Sequence, residues 1–272
     1  MPIMKKKARI IGLIVLLISY SGLSRAEEIN EDWIKMDSIF INLLKYSYST
    51  NPISIKKHLE PIENKRVNLG FGFSSIEHSM GKGYISLFYT FIYKDKNLVS
   101  FRLSPQMPDD SRLTNRYLAF YEGMFAIENY QPQNLNYGYE FVSKPLKDAE
   151  IKFQVSNQVK FFMTPYSGII YGDFGGIANE VLENRSAFNI VKSSVNEDLL
   201  IYLLKSINPA TRLCAAELYN TQKDSFKRNE LIEKLIETNL IELPAILTMS
   251  GCIEYSDDAR KVLNQMIDKN KK

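Results

Sequence analysis

Apolar positions recur at helical spacing over residues 31–46, where Trp33, Met36, Phe40, Leu43 and Leu44 share one side. Asn30 is available as a cap and acids occupy the first turn. The pattern predicts an amphipathic helix whose buried face carries Trp33, the only tryptophan, as a core anchor. Beyond Asn51-Pro52 the period drops to two. Val67, Leu69, Phe71 and Phe73 alternate with small or polar residues, and residues 84–93 form an aromatic, β-branched run. Lys94-Asp95-Lys96-Asn97 then turns the chain into 98–103, which predicts a hairpin. In its second arm Val99, Phe101 and Leu103 are expected on one face, Ser100 and Arg102 on the other.

Asp109-Asp110 is expected to open a second helix running to about Ile127, with Leu113, Tyr117, Phe120, Tyr121, Met124 and Phe125 on one side. Further strands are predicted at 137–142, 150–155, 159–163 and 168–173, with Ser156-Asn157 as a tight turn between the middle two. The sum is an antiparallel meander with helices packed on one face, an α+β arrangement. After Gly175-Gly176 the pattern weakens, and from Val195 it is helical only. Leu199, Leu200, Leu203 and Leu204 mark one helix. Asn208 caps and Pro209 starts the next; Leu231, Ile232, Leu235 and Ile236 mark a third. Ser256 caps a last helix carrying Ala259, Val262, Leu263, Met266 and Ile267. The predicted organisation is a leader over 1–26, an antiparallel α+β domain over 27–185, a linker over 186–194 and a small all-α domain over 195–272.

Pro209, Arg212, Ala215, Ala216 and Leu218 resemble the second helix of a HEAT-type repeat, with the leucine-rich segment before them in the place of its first helix. The resemblance spans residues 195–220. A single unit falls short of the roughly three repeats that a solenoid needs. What it implies is a helical-repeat-like unit offering an interaction surface. Arg212, Glu217 and Tyr219 are expected to contribute to that surface, together with Tyr89, Phe91 and Tyr93 from the aromatic strand.

Charge and compartment follow from the leader. Lys5, Lys6, Lys7 and Arg9 precede an apolar stretch over 10–18, too short for the roughly 20 residues that span a bilayer. Ser24 and Ala26 place small residues before a cleavage point ahead of Glu27. The whole chain has 34 basic and 31 acidic residues, net +3. Without its leader, which holds five basic residues and no acidic one, 29 face 31 and the balance is −2. That removes the basic surface a nucleic-acid partner would need and leaves no segment for stable membrane insertion. The expected location is the periplasm or the exterior of a bacterium. In such a compartment the only two cysteines, Cys214 and Cys252, are expected to form a disulfide, worth roughly 4 kcal/mol by loop-entropy reasoning.

Catalytic signals are sparse. His58 and His78 are distant in sequence from either cysteine, so no paired zinc-ligand spacing exists. Tyr171-Gly172-Asp173-Phe174-Gly175 holds the letters of a kinase magnesium motif without its companions. Gly70-Phe71-Gly72 and Gly81-Lys82-Gly83 are too short to cradle a phosphate. Asp109-Asp110 and Asp257-Asp258 stand where helices start, which the helix dipole explains. The pattern calls for no metal and no cofactor. It points to an exported, non-catalytic module that binds another envelope protein, of inhibitor or immunity type. The alternatives are an envelope hydrolase built from Asp, Glu or His residues and a small-ligand carrier with a cavity lined by Tyr89, Phe91 and Tyr93.

Overall fold

A computed structural model describes residues 28–59, 66–144, 146 and 155–270. The expected leader lies outside the described residues, as do 150–154 of the expected strand over 150–155.

Helix α1, Glu31–Thr50, begins where the Asn30 side chain accepts from the backbone N–H groups of Asp32 and Trp33, at 3.0 and 3.2 Å. It stops at Asn51, whose extended backbone leads into Pro52. Its buried residues are Ile34, Asp37, Phe40, Ile41, Leu44 and Ser47. The helix therefore sits turned from the expected orientation: Trp33 is not a core anchor but 46% exposed, and Met36 and Leu43 are exposed with it. Ile34 and Ile41 fill the core instead, because apolar residues occupy more of the circumference than one face can bury. A 3₁₀ turn and the short helix α2, Lys56–Leu59, complete this segment.

Four strands follow as a meander: β1 Val67–Gly70, β2 Phe73–Lys82, β3 Ile85–Lys94 and β4 Asn97–Gln106. The hairpin expected at Asp95 is present, with Lys94 opposite Asn97 and Asp95 at φ +56°. A bulge sets Ile92 against Ser100 and Tyr93 against Leu98, leaving Val99 without a partner. Beyond the bulge it is Leu98, not Val99, that joins Phe101 and Leu103 in the core under α1, while Val99 packs into a second layer on the other side of the sheet.

The second expected helix is shorter than its pattern suggested. A 3₁₀ turn capped by Asp110 leads into α3, Thr114–Tyr121, which ends before Gly123 at φ +80°. The chain then makes a small hairpin, β5 Ile127–Glu128 and β6 Gln131–Pro132, and a fifth strand of the main sheet, β7 Leu135–Tyr137. The sheet order is β1-β2-β3-β4-β7, antiparallel throughout. Gly138, at φ +63°, turns the chain into α4, Tyr139–Val142. A Cβ there would lie 2.2 Å from the Val99 carbonyl oxygen, so no larger residue fits. Helices α1 and α3 cover one face of this sheet around Phe91, Phe101, Leu103 and Tyr117.

The expected continuation of the meander is not found. Residues 159–163 lie in α5, Asn157–Met163, and Ser156 is its cap rather than a turn residue. Val159, Phe162 and Met163 are buried at helical spacing, and so short an apolar run fits either period. Residues 168–173 are irregular, and the next strands are β8 Phe174–Gly175 and β9 Glu180–Val181. A helix, α6 Glu183–Val191, occupies much of the expected linker.

The C-terminal part is built around α8, Pro209–Thr221. Every residue of α8 from Pro209 to Tyr219 is buried, against α6, α7 (Glu197–Leu203), α9 (Asn229–Glu242) and α10 (Ala259–Asn270). Asn208 caps it as expected: its side chain accepts from Ala210 and Thr211 N–H and donates to Thr164 O, Ser167 Oγ and Gly168 O. This part is not all-α. A hairpin, β10 Ala245–Ser250 and β11 Ile253–Asp258, separates the last two helices. Ser256 therefore lies in a strand, and the cap of α10 is Asp258, whose side chain accepts from Lys261 N–H at 2.7 Å. The whole remains an α+β fold, with a third, smaller core of Leu69, Ile92, Val142, Tyr166, Ile169 and Ile207 joining the sheet to the C-terminal part.

Candidate functional site

The six residues expected at an interaction surface are all buried. Arg212 is 2% exposed, and its guanidinium donates to three backbone carbonyls: Ser206 at 2.9 Å, Ile207 at 3.1 Å and Leu69 in β1 at 2.7 Å. Glu217 accepts both Nη groups of Arg185, the Tyr171 hydroxyl and the Asn270 amide, all within 2.8 Å. Tyr219 meets Asn229 and Glu233. Tyr89, Phe91 and Tyr93 point into the core beneath α1. They share the inward face of β3, while Phe88 alone among its neighbouring rings stands exposed on the other. The pattern marked large and amphipathic side chains correctly but assigned them to the wrong side of the surface.

The cysteines do not form the expected bridge. Cys214 is buried on α8 with Sγ 3.5 Å from Asn184 Oδ1, whereas Cys252 is exposed in the turn between β10 and β11. Burial pushes the Cys214 thiol up to about 12, which suppresses its thiolate at neutral pH. Neither histidine meets a cysteine: His58 shares a hydrogen bond with Ser47 Oγ, and His78 stacks on Tyr89. Among the described residues no cluster of His, Cys, Asp and Glu is arranged to hold a metal ion.

A broad concavity opens where the face of the main sheet opposite α1 and α3 meets the C-terminal part, a cleft of about 1160 Å³. Its floor is set by strand register. Glu77 pairs with Thr90, Thr90 with Arg102 and Arg102 with Asn136, so four polar residues form one row across β2, β3, β4 and β7. Arg102 is held from both sides: Nε donates to Asn136 Oδ1 at 3.0 Å, Nη1 donates to Tyr166 O at 3.2 Å, and the guanidinium lies 4.4 Å from the Tyr166 ring centre. Tyr166 is fixed in turn through its hydroxyl on Ser100 Oγ at 2.6 Å. The facing wall brings Glu183 from the start of α6, Ile246 and Leu247 from β10, and Glu254 and Tyr255 from β11.

Glu77 keeps exposed surface at the cleft floor, and the partial desolvation of its carboxyl there raises it from its ordinary value; Glu183 and Glu254 push the same way and Arg102 opposes them. Burial likewise lowers the Arg102 guanidinium, with Tyr166, Tyr139, Glu183 and Glu77 working against it. The cleft thus offers a carboxyl group of raised proton affinity, an immobilised guanidinium, and an apolar wall beside them. Sequence reasoning missed Glu77, Arg102, Glu183 and Glu254. One signal was available: Arg102 is a charge in the middle of an interior strand, flanked by serines, on a face that would otherwise read as open to solvent.

Comparison with protein-family models, with curated proteins and with solved structures finds no match to this chain. Among the described residues no helix is long and apolar enough to cross a membrane.

Proposed function

We propose that this chain is an exported, non-catalytic interaction module of the bacterial envelope, of inhibitor or immunity type, and that its working surface is the cleft. The reading rests chiefly on one observation: the cleft is larger than the roughly 300–1,000 Å³ of most small-molecule pockets, and a strand with an open edge contributes to its wall. Strand β10 is bonded on one side to β11 and on the other, through Leu247 O, to Tyr171 N–H, while Gly176 N–H reaches Gly251 O in the turn that follows β10. Strand β11 pairs with β10 only, among the described residues. An extended segment of a partner protein can add to such an edge by main-chain hydrogen bonds while its side chains enter the cleft. Glu77, Glu183 and Glu254 suit a partner segment carrying basic residues.

The test is site-specific photo-crosslinking in the native bacterium, with the crosslinker at Tyr255 or Thr90 in the cleft and at Ile190 on α6 as a remote control. One partner captured from the cleft positions alone supports the reading, and equal capture from Ile190 would refute it. Export is checked in the same culture: the purified protein should begin at Glu27.

A second reading, hydrolysis of an envelope glycan, draws on the gathering of Glu77, Glu183 and Glu254 around one cleft, since glycoside hydrolysis uses a pair of carboxyl groups. It requires turnover of peptidoglycan fragments that is lost in Glu77→Gln.

A further inference from the structure

The exposed side of α1 carries five large apolar residues: Trp33 (46% exposed), Met36 (46%), Ile39 (61%), Leu43 (43%) and Tyr46 (71%). At about 100° per residue they fall within an arc of roughly 140°, in a stripe about 20 Å long beside the buried face. None of them lines the cleft. Their order has a property that a general binding stripe does not need. Trp33 and Tyr46, and Met36 and Leu43, are each placed symmetrically about a point next to Ile39.

We infer that this stripe is the interface of a two-fold dimer in which α1 packs antiparallel on α1 of a second copy. A two-fold contact uses the same patch on both subunits, so residue i meets j while j meets i. With the axis near Ile39, Trp33 of each copy falls against Tyr46 of the other and Met36 against Leu43. The large aromatic pair closes both ends and the smaller side chains meet in the middle. Trp33 is already oriented, its ring edge to face with Tyr84 at 5.3 Å, and the Tyr84 hydroxyl accepts from Asn30 N–H. A pre-positioned anchor loses less freedom on association.

The area fits this occupant. The exposed fractions of five side chains of this size leave on the order of 500 Å² per copy, hence roughly 1,000 Å² in all, at the lower edge of specific interfaces. A contact of this size is of the weak kind that forms and separates with concentration. A membrane surface is the poorer match, because helices that lie on anionic lipid are rich in Lys and Arg. Helix α1 carries Lys35 and Lys45 against Glu31, Asp32 and the buried Asp37, so it has no basic excess.

The test is sedimentation equilibrium of the full chain from 1 to about 300 µM, beside fluorescence of the single tryptophan. Mass rising to that of a dimer, with Trp33 emission shifting to the blue over the same range, is the expected result. Ile39→Glu would set two like charges together at the axis and should weaken association at least tenfold. Its side chain stands in solvent in the monomer, so the circular-dichroism melt should not move. In a Cys252→Ser background, Ile39→Cys should crosslink to itself on oxidation, and Ile190→Cys on α6 should not. The inference is overturned by a monomer at every concentration, by dimers that survive Ile39→Glu, by self-crosslinking of Trp33→Cys in place of Ile39→Cys, or by binding of the monomer to phosphatidylglycerol vesicles that Ile39→Glu abolishes.

Discussion

Arg212 is a buried guanidinium with no ion pair among the described residues, Glu242 acting on it only from a distance, and replacing it separates three explanations of its presence. Burial lowers its pKa to about 9, so it is charged at pH 7. Its stabilisation comes from three charge-assisted hydrogen bonds to the carbonyls of Ser206, Ile207 and Leu69. Each is worth about 1.5–3 kcal/mol, against an ion desolvation penalty of several kcal/mol. Arg212→Met removes both terms and leaves three buried carbonyls short of a donor, at about 1–3 kcal/mol each. With the desolvation penalty recovered, the net loss should be about 2–5 kcal/mol. Arg212→Lys keeps the charge but replaces the planar fork by one ammonium that cannot span all three acceptors, so it should cost at least as much. Urea unfolding at pH 7 reads both from the shift in midpoint at unchanged slope. If Met is tolerated within about 1 kcal/mol, the side chain serves only as filling. If Lys retains full stability, a diffuse charge interaction, not the fork, holds this position. Either result refutes the brace.

Three further outcomes are expected. Burial raises the Asp37 carboxyl, with the Tyr117 hydroxyl and Tyr84 N–H opposing, and its Oδ1 has no partner. The folded state therefore holds this proton to higher pH than the unfolded chain, and the resulting stability is complete below the unfolded value near 3.8 and lost as pH rises through the folded pKa. Between pH 4 and 7, paired thermal melts should show the wild type losing ground to Asp37→Asn; the opposite slope would contradict the assignment. Glu217→Ala should cost about 3–5 kcal/mol in urea titration, since it strands Arg185 inside the protein; a loss under about 1 kcal/mol would mean that Asp173 alone satisfies Arg185. Thiol titration should find one reactive cysteine, Cys252, in the folded protein and two after denaturation, without reductant; two protected thiols in both states would restore the bridge.

How much of this was legible before the structure varies with what each pattern contains. The Asn30 cap, the Asp95 hairpin and the Asn208-Pro209 helix start are local chemistry, and they stand where the residues say. The face of α1 was not legible. Apolar residues at Ile34, Ile39 and Ile41 widen the stripe past what one interface can cover, and period alone does not choose which arc meets the sheet. Residues 159–163 are too few to distinguish a period of two from one of 3.6. In β10 the run Ala245-Ile246-Leu247-Thr248-Met249-Ser250 does not alternate cleanly, and the expectation of a disulfide drew Cys252 into a helical unit that the Gly251 turn in fact breaks off. Helix α8 is legible as a helix but reads as a surface one, because Arg212 and Glu217 look solvated until their partners, 143 residues away at Leu69 and 32 away at Arg185, are known. The cleft has the same difficulty: Glu77, Arg102, Glu183 and Glu254 come from four separate segments, and no spacing rule connects them.

The bond from Arg212 to Leu69 also has a consequence for when the fold can be completed. As a chain is synthesised from its N-terminus, the meander from β1 to β4 is available early, but the donor that closes the Leu69 carbonyl emerges only after another 143 residues. Until then the outer strand of the sheet has an open edge, which invites pairing with other chains. Contacts of such long sequence separation slow folding, because the loop entropy is lost before the contact forms. The last third of the molecule therefore acts on the first as a late lock, and truncation before Ser206 should yield a product that aggregates rather than a smaller stable domain.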